Sequence, residues 1–440
     1  MRRARPRPSW TLFVLFLLNS LNFFDRNILG AIVEPLRREW SLRDAQIGWI
    51  GTAFTLLYAV VGLPLGRLAD TNRRTRLLGG GALLWSAMTA LSGLATSFAG
   101  LLATRLGVGV GEAVCAPAAA SLIGDLFPSE KRGRATAVFM LGLPVGIGLS
   151  YAVGGAVAQA WGWRAAFFVA GLPGLAAAAL CLALPEPARG TAEPHPIGAR
   201  LRAGSALALL ARTPTLVWIV LSGALHNFNM YALSTFVPAL LTRHHGLSVR
   251  DAGALSGLMF GVFGGVGLLV GGWTGDRAAA RKEGGRLLVS AAALALSVPL
   301  VVLFLLQPRG DVGRAVWLVG PALLLMYLYY APVYATIQDV VEPGRRGTAM
   351  AVYFCAMYLL GASLGPVGTG VLSDRLAARA AAAAGSPVVT EAFRAQGLHQ
   401  AMYVVPALSL VLAAVLFAGA RASARDRRAL TAWMEQAQAS

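Results

Sequence analysis

The sequence predicts an all-α membrane protein with twelve transmembrane helices. Of its 440 residues, 56% are hydrophobic and only 13% are charged, and the mean hydropathy of +0.62 is high for a chain of this length. Long apolar stretches recur, each with about the 20 residues that a spanning helix needs. They cover residues 10–33, 48–69, 77–97, 99–123, 134–158, 164–184, 214–240, 252–274, 286–306, 315–339, 347–371 and 399–419. Since no small-residue cleavage site follows the first stretch, we interpret it as a helix rather than a signal peptide.

The distribution of basic residues predicts the orientation of the chain. Of the 38 arginines and lysines, 25 fall in the segments that share a side with the N-terminus and 11 fall on the opposite side. The positive-inside rule therefore predicts that both termini are cytoplasmic, in a cell inner membrane or plasma membrane. The net charge of +18 is spread over these loops rather than gathered on one domain, which argues against nucleic acid as a partner.

The chain is also predicted to consist of two related halves. A polar segment at 185–213 divides the spans into an N-terminal six-helix bundle at 1–184 and a C-terminal six-helix bundle with a short basic tail at 214–440. Two signatures recur in both halves, at offsets of 206 and 214 residues: GxxxD at Gly66–Asp70 and Gly272–Asp276, and DxxxxxxRG beginning at Asp125 and Asp339. This recurrence indicates parallel internal repeats.

Four charged residues interrupt the apolar spans. Asp25 and Arg26 lie in "NSLNFFDRNILG" of the first span, and Arg105 and Glu112 lie seven residues apart in the fourth. A charge at the bilayer centre costs about 2.5–3.5 kcal/mol even on the mildest scale, so intramembrane charges are usually functional. Successive helical residues point about 100° apart, and Asp25 and Arg26 therefore need different partners.

The charge balance of these residues leaves two interpretations open. Two acids face two bases, so protonation of either acid would leave the set one unit more positive. The four residues could thus couple a proton to a charged substrate, or they could form a static ion-pair network that locks the first and fourth helices together.

Several motifs resemble those of the major facilitator superfamily, and more narrowly of its spinster-like subgroup. They are "NFFDRNILG", "RLGVGVGEA", "IGDLFPSEKRGRA" and "LGLPVGIGLSYAVGG", and the GxxxD turn followed by "NRRTR". The resemblance implies a secondary active transporter that works by alternating access and is proton-coupled. It also implies an amphipathic anionic substrate of the lysolipid or sphingoid type. The alternative is a proton-coupled symporter of small organic anions such as sugar acids or aromatic carboxylates.

These considerations define the candidate site. We expect proton coupling at Asp25 and Glu112, and substrate binding at Arg26, Arg105, Asn22, His226, Asn229 and Tyr334. Gate residues are expected at the helix ends beside basic loops: Asp70, Arg73, Arg74, Asp125, Arg132, Asp276, Asp339 and Arg346. Ordinary packing is the alternative for the polar residues of the seventh span and the tyrosines of the tenth.

Other classes of protein lack support in the sequence. The three cysteines lie in apolar spans without metal-ligand spacing, neither of the two lysines follows a glycine as in a phosphate loop, and no nucleophile motif occurs. We therefore expect no enzyme activity, no metal and no cofactor, with a proton gradient as the energy source. The expected partners are the substrate and membrane lipids, and the expected state is a monomer.

Pairs of glycines four residues apart predict close helix contacts in both halves. These pairs are Gly142/Gly146, Gly257/Gly261, Gly267/Gly271 and Gly361/Gly365.

Overall fold

The structure, a computed structural model, describes residues 7–188, 206–341 and 345–439. These residues form helices and short connections and contain no strand, which confirms the all-α prediction. The α-helices are α1 Pro8–Trp40, α2 Asp44–Thr71, α3 Arg74–Ser92, α4 Phe98–Glu112, α5 Cys115–Leu126, α6 Ser129–Met140, α7 Gly142–Trp161, α8 Trp163–Leu182, α9 Ala206–Arg212, α10 Pro214–Arg243, α11 Val249–Gly257, α12 Gly264–Arg281, α13 Gly285–Leu305, α14 Val312–Tyr327, α15 Tyr330–Val340, α16 Arg346–Ala356, α17 Leu364–Ala383, α18 Glu391–Ala401 and α19 Val404–Ala439.

Within the described ranges, eleven helical segments are long and apolar enough to cross a membrane. The predicted twelfth span corresponds to α3, which has 19 residues but includes two arginines and three consecutive glycines that lower its hydropathy. A helix satisfies its own backbone hydrogen bonds, which is why a chain this apolar crosses the bilayer as helices. The protein is therefore a multi-pass membrane protein.

The chain forms two compact units. The first comprises Met1–Gly198 and Ser234–Gly261, and the second comprises Ala199–Leu233 and Val262–Ser440. Residues 234–261 thus pack with the first unit although they lie beyond the predicted linker. The linker at 185–213 and the two six-helix bundles on either side of it stay a prediction from the sequence repeat. Part of that linker lies outside the described residues.

The predicted glycine contacts are confirmed within each unit. In the first unit, a Cβ on Gly146 would lie 2.2 Å from the carbonyl oxygen of Ser20, so only glycine allows α7 to approach α1 this closely. In the second, a Cβ on Gly271 would lie 2.5 Å from the carbonyl oxygen of Leu328. The other glycines of the four pairs make similarly close contacts.

Two spans are interrupted at equivalent places of the repeat. The fourth span breaks between α4 and α5, directly after Glu112, and the tenth breaks between α14 and α15, directly before Tyr330. Two further spans contain π-helical turns, at Leu258–Phe263 and Met357–Ala362. The sequence did not predict these irregularities, which are frequent at functional sites of transporters.

Candidate functional site

The structure gives Asp25 and Arg26 different partners, as their positions on α1 require. Arg26 donates from Nε (3.1 Å) and Nη2 (2.9 Å) to Oε2 of Glu112, the last residue of α4. Asp25 accepts a hydrogen bond from the Thr89 hydroxyl of α3, with 3.2 Å between the two oxygens. The two adjacent charges of α1 therefore connect it to two separate helices of the first unit.

Arg105 completes a charged cluster, which we define as Asp25, Arg26, Arg105 and Glu112. Its Nη2 donates to the backbone carbonyl oxygen of Asp25 at 3.0 Å. Asp25 and Glu112 are fully buried, and Arg105 is 2% exposed. Among the described residues, Oδ1 of Asp25 and Nη1 of Arg105 have no hydrogen-bond partner. The cluster thus has unused donor and acceptor capacity, which a fully satisfied static lock would not have.

Aromatic rings surround the guanidinium of Arg26. Its central carbon lies 4.6 Å from the ring centroid of Tyr58, 5.2 Å from that of Phe23 and 5.3 Å from that of Phe54. Aromatic faces attract a cation and at the same time exclude water from it. The sequence analysis did not identify these rings: Phe23 lies one turn from Arg26 on α1, whereas the approach of Phe54 and Tyr58 depends on how α1 and α2 pack.

The other predicted substrate-binding residues have mixed surroundings. Asn22 accepts from Arg26 Nη2 at 3.5 Å and so adjoins the charged cluster. Asn229, in the second unit, donates to Ser409 Oγ at 3.0 Å and to the carbonyl oxygen of Val405 at 3.2 Å, contacts that favour the packing interpretation for this residue.

His226 and Tyr334 lie in an aromatic cluster of the second unit. The His226 ring is fully buried and stacks on Tyr329 with 4.0 Å between centroids. Neither ring nitrogen has a hydrogen-bond partner among the described residues. Tyr334 is half-buried and packs edge-to-face on Tyr353 and Phe354. Substrate binding by His226, Asn229 and Tyr334 remains a prediction.

A buried ion-pair network joins two of the predicted gate residues of the first unit, Arg74 and Asp125. Arg74 is fully buried and pairs with Asp125, and its Nε donates to Oε1 of Glu186 at 2.8 Å. Thr75 also donates to Glu186, through its backbone nitrogen at 2.9 Å and its hydroxyl at 2.8 Å. Burial raises the pKa of Glu186, but the hydrogen bonds from Thr75 and Arg74 outweigh burial and hold this pKa below its usual range.

The second unit repeats this arrangement. Arg286, at the start of α13, pairs with Asp339 and lies 2.9 Å from Asp276. Arg74 and Arg286 occupy equivalent positions, each at the start of a helix and each beside the aspartate that begins a DxxxxxxRG signature. The sequence analysis missed Arg286 and Glu186, although the repeat of the aspartates gave a signal from which Arg286 could have been inferred.

The remaining predicted gate residues make fewer contacts. Arg132 donates to the carbonyl oxygen of Gly124 at 2.9 Å, and Arg73 is exposed. Nε of Arg346 has no hydrogen-bond partner among the described residues. The Asp70 side chain lies outside the described part of the structure. A gating role for each of these residues is still a prediction.

The described residues combine membrane-spanning helices, buried intramembrane charges and internal repeats. These features together are typical of a polytopic membrane transporter. The chain belongs to the Major Facilitator Superfamily, whose family model matches residues 15–366. As a member of this family it is a transporter rather than an enzyme. The resemblance of its motifs to this superfamily is thereby confirmed.

Individual proteins narrow this assignment to the spinster-like subgroup. An MFS-type efflux pump of Mycolicibacterium smegmatis (strain ATCC 700084 / mc(2)155) is 33% identical over 429 residues, which are 97% of this chain and 95% of the pump. The sphingosine-1-phosphate transporter SPNS2 of Danio rerio is 29% identical over 384 residues, 82% of this chain and 75% of that protein. The inward-facing, unoccupied crystal structure of a bacterial homolog to the human lysosomal transporter Spinster matches with a TM-score of 0.88 and 27% identity, over 96% of this chain and 99% of that one.

Proposed function

We propose that this transporter works by alternating access and couples protons to the movement of an amphipathic anion of the lysolipid or sphingoid-phosphate type. It would act as a monomer in a cell inner membrane or plasma membrane, surrounded by membrane lipids, with the proton gradient as energy source and no cofactor. The observation that carries this proposal is the ion pair between Arg26 and the fully buried Glu112.

This ion pair can couple the binding of a proton at Glu112 to the binding of an anion at Arg26. An ionised Glu112 accepts hydrogen bonds at its Oε2 from both Nε and Nη2 of Arg26. Protonation of Glu112 removes that counter-charge and leaves Arg26 buried without it, a situation that costs about 3–5 kcal/mol when one partner of a buried pair is lost. An anionic head group that accepts from Arg26 offsets this cost. Proton binding and anion binding at Arg26 therefore favour each other.

Asp25 gives the cluster a second site for a proton. It is fully buried, and Arg105 donates to its backbone carbonyl oxygen. The two acids balance the two arginines, so each protonation leaves one positive charge for the substrate to neutralise. This balance supports a coupling role for both acids over a static lock.

The surroundings of Arg26 favour an amphipathic anion. A phosphate or carboxylate can pair with the guanidinium, and the rings of Phe23, Phe54 and Tyr58 form an apolar surface beside it. A compact, fully hydrated anion would gain less from this apolar surface than a substrate with a hydrocarbon tail. Sphingosine-1-phosphate, for which the Danio rerio relative is named as a transporter, is a substrate of this class.

Transport by the purified protein in liposomes tests the proposal. A fluorescent lysophosphatidate is placed in one leaflet, a pH step is imposed, and extraction by albumin reports the lipid that has crossed. We expect crossing to accelerate with the pH step, unlabelled lysophosphatidate to compete, and gluconate and benzoate not to compete. Liposomes without protein measure the spontaneous crossing rate.

Two results would contradict the proposal. Gradient-driven accumulation of gluconate or benzoate without movement of the lipid would establish the small-anion symporter instead. Lipid crossing at the same rate with and without the pH step would show a protein that facilitates lipid movement without proton coupling.

A further inference from the structure

Arg243 is the last residue of α10 and belongs to a second group of buried ion pairs, which is separate from the charged cluster. Its Nε lies 2.6 Å from Oε2 of Glu34 on α1, and its Nη1 and Nη2 each lie 2.9 Å from an oxygen of Asp44, the first residue of α2. The Arg243 side chain is 2% exposed. One guanidinium thus joins the ends of three helices, with both acids as charge-assisted acceptors.

Each charged group of this cluster has a second source of stabilisation. Glu34 also accepts from Arg37 at 2.8 Å and from Arg38 at 2.9 Å, both on its own helix. Asp44 begins α2, where the helix dipole favours a negative charge, and Arg243 ends α10, where it favours a positive one. Each acid therefore keeps a favourable interaction after Arg243 has separated from it. This lowers the cost of breaking the contact, so the contact can be reversible.

The segment that Arg243 anchors belongs to the first unit, whereas the chain on both sides of it belongs to the second. We call residues 234–261 the arm. Besides Arg243, the arm contacts α7: the Tyr151 hydroxyl donates to the carbonyl oxygen of Ser234 at 2.6 Å. A Cβ on Gly253 would lie 2.5 Å from the carbonyl oxygen of Tyr151, so the backbones of the arm and α7 are in direct contact there. The Tyr151 ring also packs on Phe260 of the arm, with 5.2 Å between ring centroids.

The end of the arm coincides with an irregular helix. The boundary between Gly261 and Val262 falls inside the π-helical turn Leu258–Phe263. A π-helical turn departs from the regular α-helical hydrogen-bond ladder, and such turns are frequent at functional sites. The arm therefore contains an ion-pair anchor, Arg243, and ends within a helical irregularity.

We propose that Arg243, Glu34 and Asp44 form a latch that holds the arm against α1 and α2, and that its release opens the membrane side reached by the C-terminal end of α1. The inference rests on the alternating access proposed above, because a transporter of that kind needs a contact on each side that closes and reopens. It adds to that proposal the particular residues that hold this side closed.

Cysteine labelling tests the latch. In a background without Cys115, Cys181 and Cys355, Ala239→Cys places a thiol on the arm at a position that is 1% exposed. A membrane-impermeant maleimide then reports how often the arm separates from α1 and α2. We expect Arg243→Gln to accelerate labelling of this thiol by at least ~10-fold, the change in population that about 1.4 kcal/mol produces.

Two controls separate release of the latch from general destabilisation. Arg38→Gln removes another cation from the same carboxylate, but Arg38 is 62% exposed and lies on α1 itself, so labelling should remain at the wild-type rate. A second background that retains only Cys181, which is fully buried in the first unit, reports unfolding. Its labelling should not change with Arg243→Gln.

An unchanged labelling rate of Ala239→Cys in the Arg243→Gln variant would overturn the latch. Equal acceleration at Cys181 would overturn it as well, since the substitution would then loosen the whole unit. The measurement uses neither substrate nor a pH gradient, so its result is independent of whether the proposed proton-coupled lipid transport is correct.

Discussion

Asp25→Asn is expected to abolish transport driven by a pH gradient while the protein still folds. The amide has nearly the shape of the carboxyl group and can still accept from the Thr89 hydroxyl, but it cannot gain or lose a proton. The charged cluster then holds one acid against two arginines in every state, as though Asp25 were permanently protonated. Accumulation of the lipid substrate should fall to the level of protein-free liposomes, whereas the melting temperature should move by only about 3 °C or less.

Exchange measured without a gradient provides the matched comparison for this variant. A carrier that has lost only its coupling proton should still exchange labelled for unlabelled substrate. Thr89→Val, which removes the hydrogen bond but keeps the carboxylate, should retain gradient-driven accumulation. Accumulation at the wild-type level in Asp25→Asn would eliminate Asp25 as a coupling residue.

Arg26→Lys is expected to weaken binding of the anionic substrate by about 10- to 100-fold, the effect of losing one charge-assisted hydrogen bond of about 1.5–3 kcal/mol. The guanidinium presents two donors to one carboxylate oxygen and lies among three aromatic rings. An ammonium group is compact and more strongly hydrated, so it reproduces neither the two donors nor the ring contacts. Displacement of a fluorescent lysophosphatidate from the purified protein measures the change.

Arg105→Lys is the companion variant. Arg105 donates to a backbone carbonyl oxygen and retains an Nη1 without a partner among the described residues. If that nitrogen contacts the head group, binding should weaken here as well. Equal affinity of the wild type and both lysine variants would show that the two arginines serve as a structural lock rather than as substrate ligands.

The sequence predicted those features that depend on composition and local spacing. Hydropathy predicted the spans, the recurrent signatures predicted the repeat, and glycine spacing predicted close contacts such as that of Gly146 with Ser20. The 100° step between Asp25 and Arg26 predicted separate partners, and the structure provides Thr89 and Glu112.

Partners brought together by packing were beyond reach of the sequence. Arg243 and Glu34 are 209 positions apart, and in the sequence both read as ordinary charges at the ends of spans. Glu186 lies in a polar linker, where acidic residues are common, so the sequence does not indicate that it pairs with Arg74. The helix break at Ala113 and Val114 was not predicted either, although Pro117, which cannot donate a hydrogen bond to the carbonyl oxygen of Ala113, gave a signal for it.

The central claim is that a proton and an anion bind together at the Arg26–Glu112 pair. Proton uptake during substrate binding tests it most directly, with purified protein in weakly buffered detergent solution and a pH indicator. Linkage predicts proton uptake when lysophosphatidate binds to the wild type, and less uptake by Glu112→Gln, in which the amide cannot ionise and only Asp25 remains to bind a proton. Saturable binding to the wild type without any proton uptake across the pH range of transport would contradict the account.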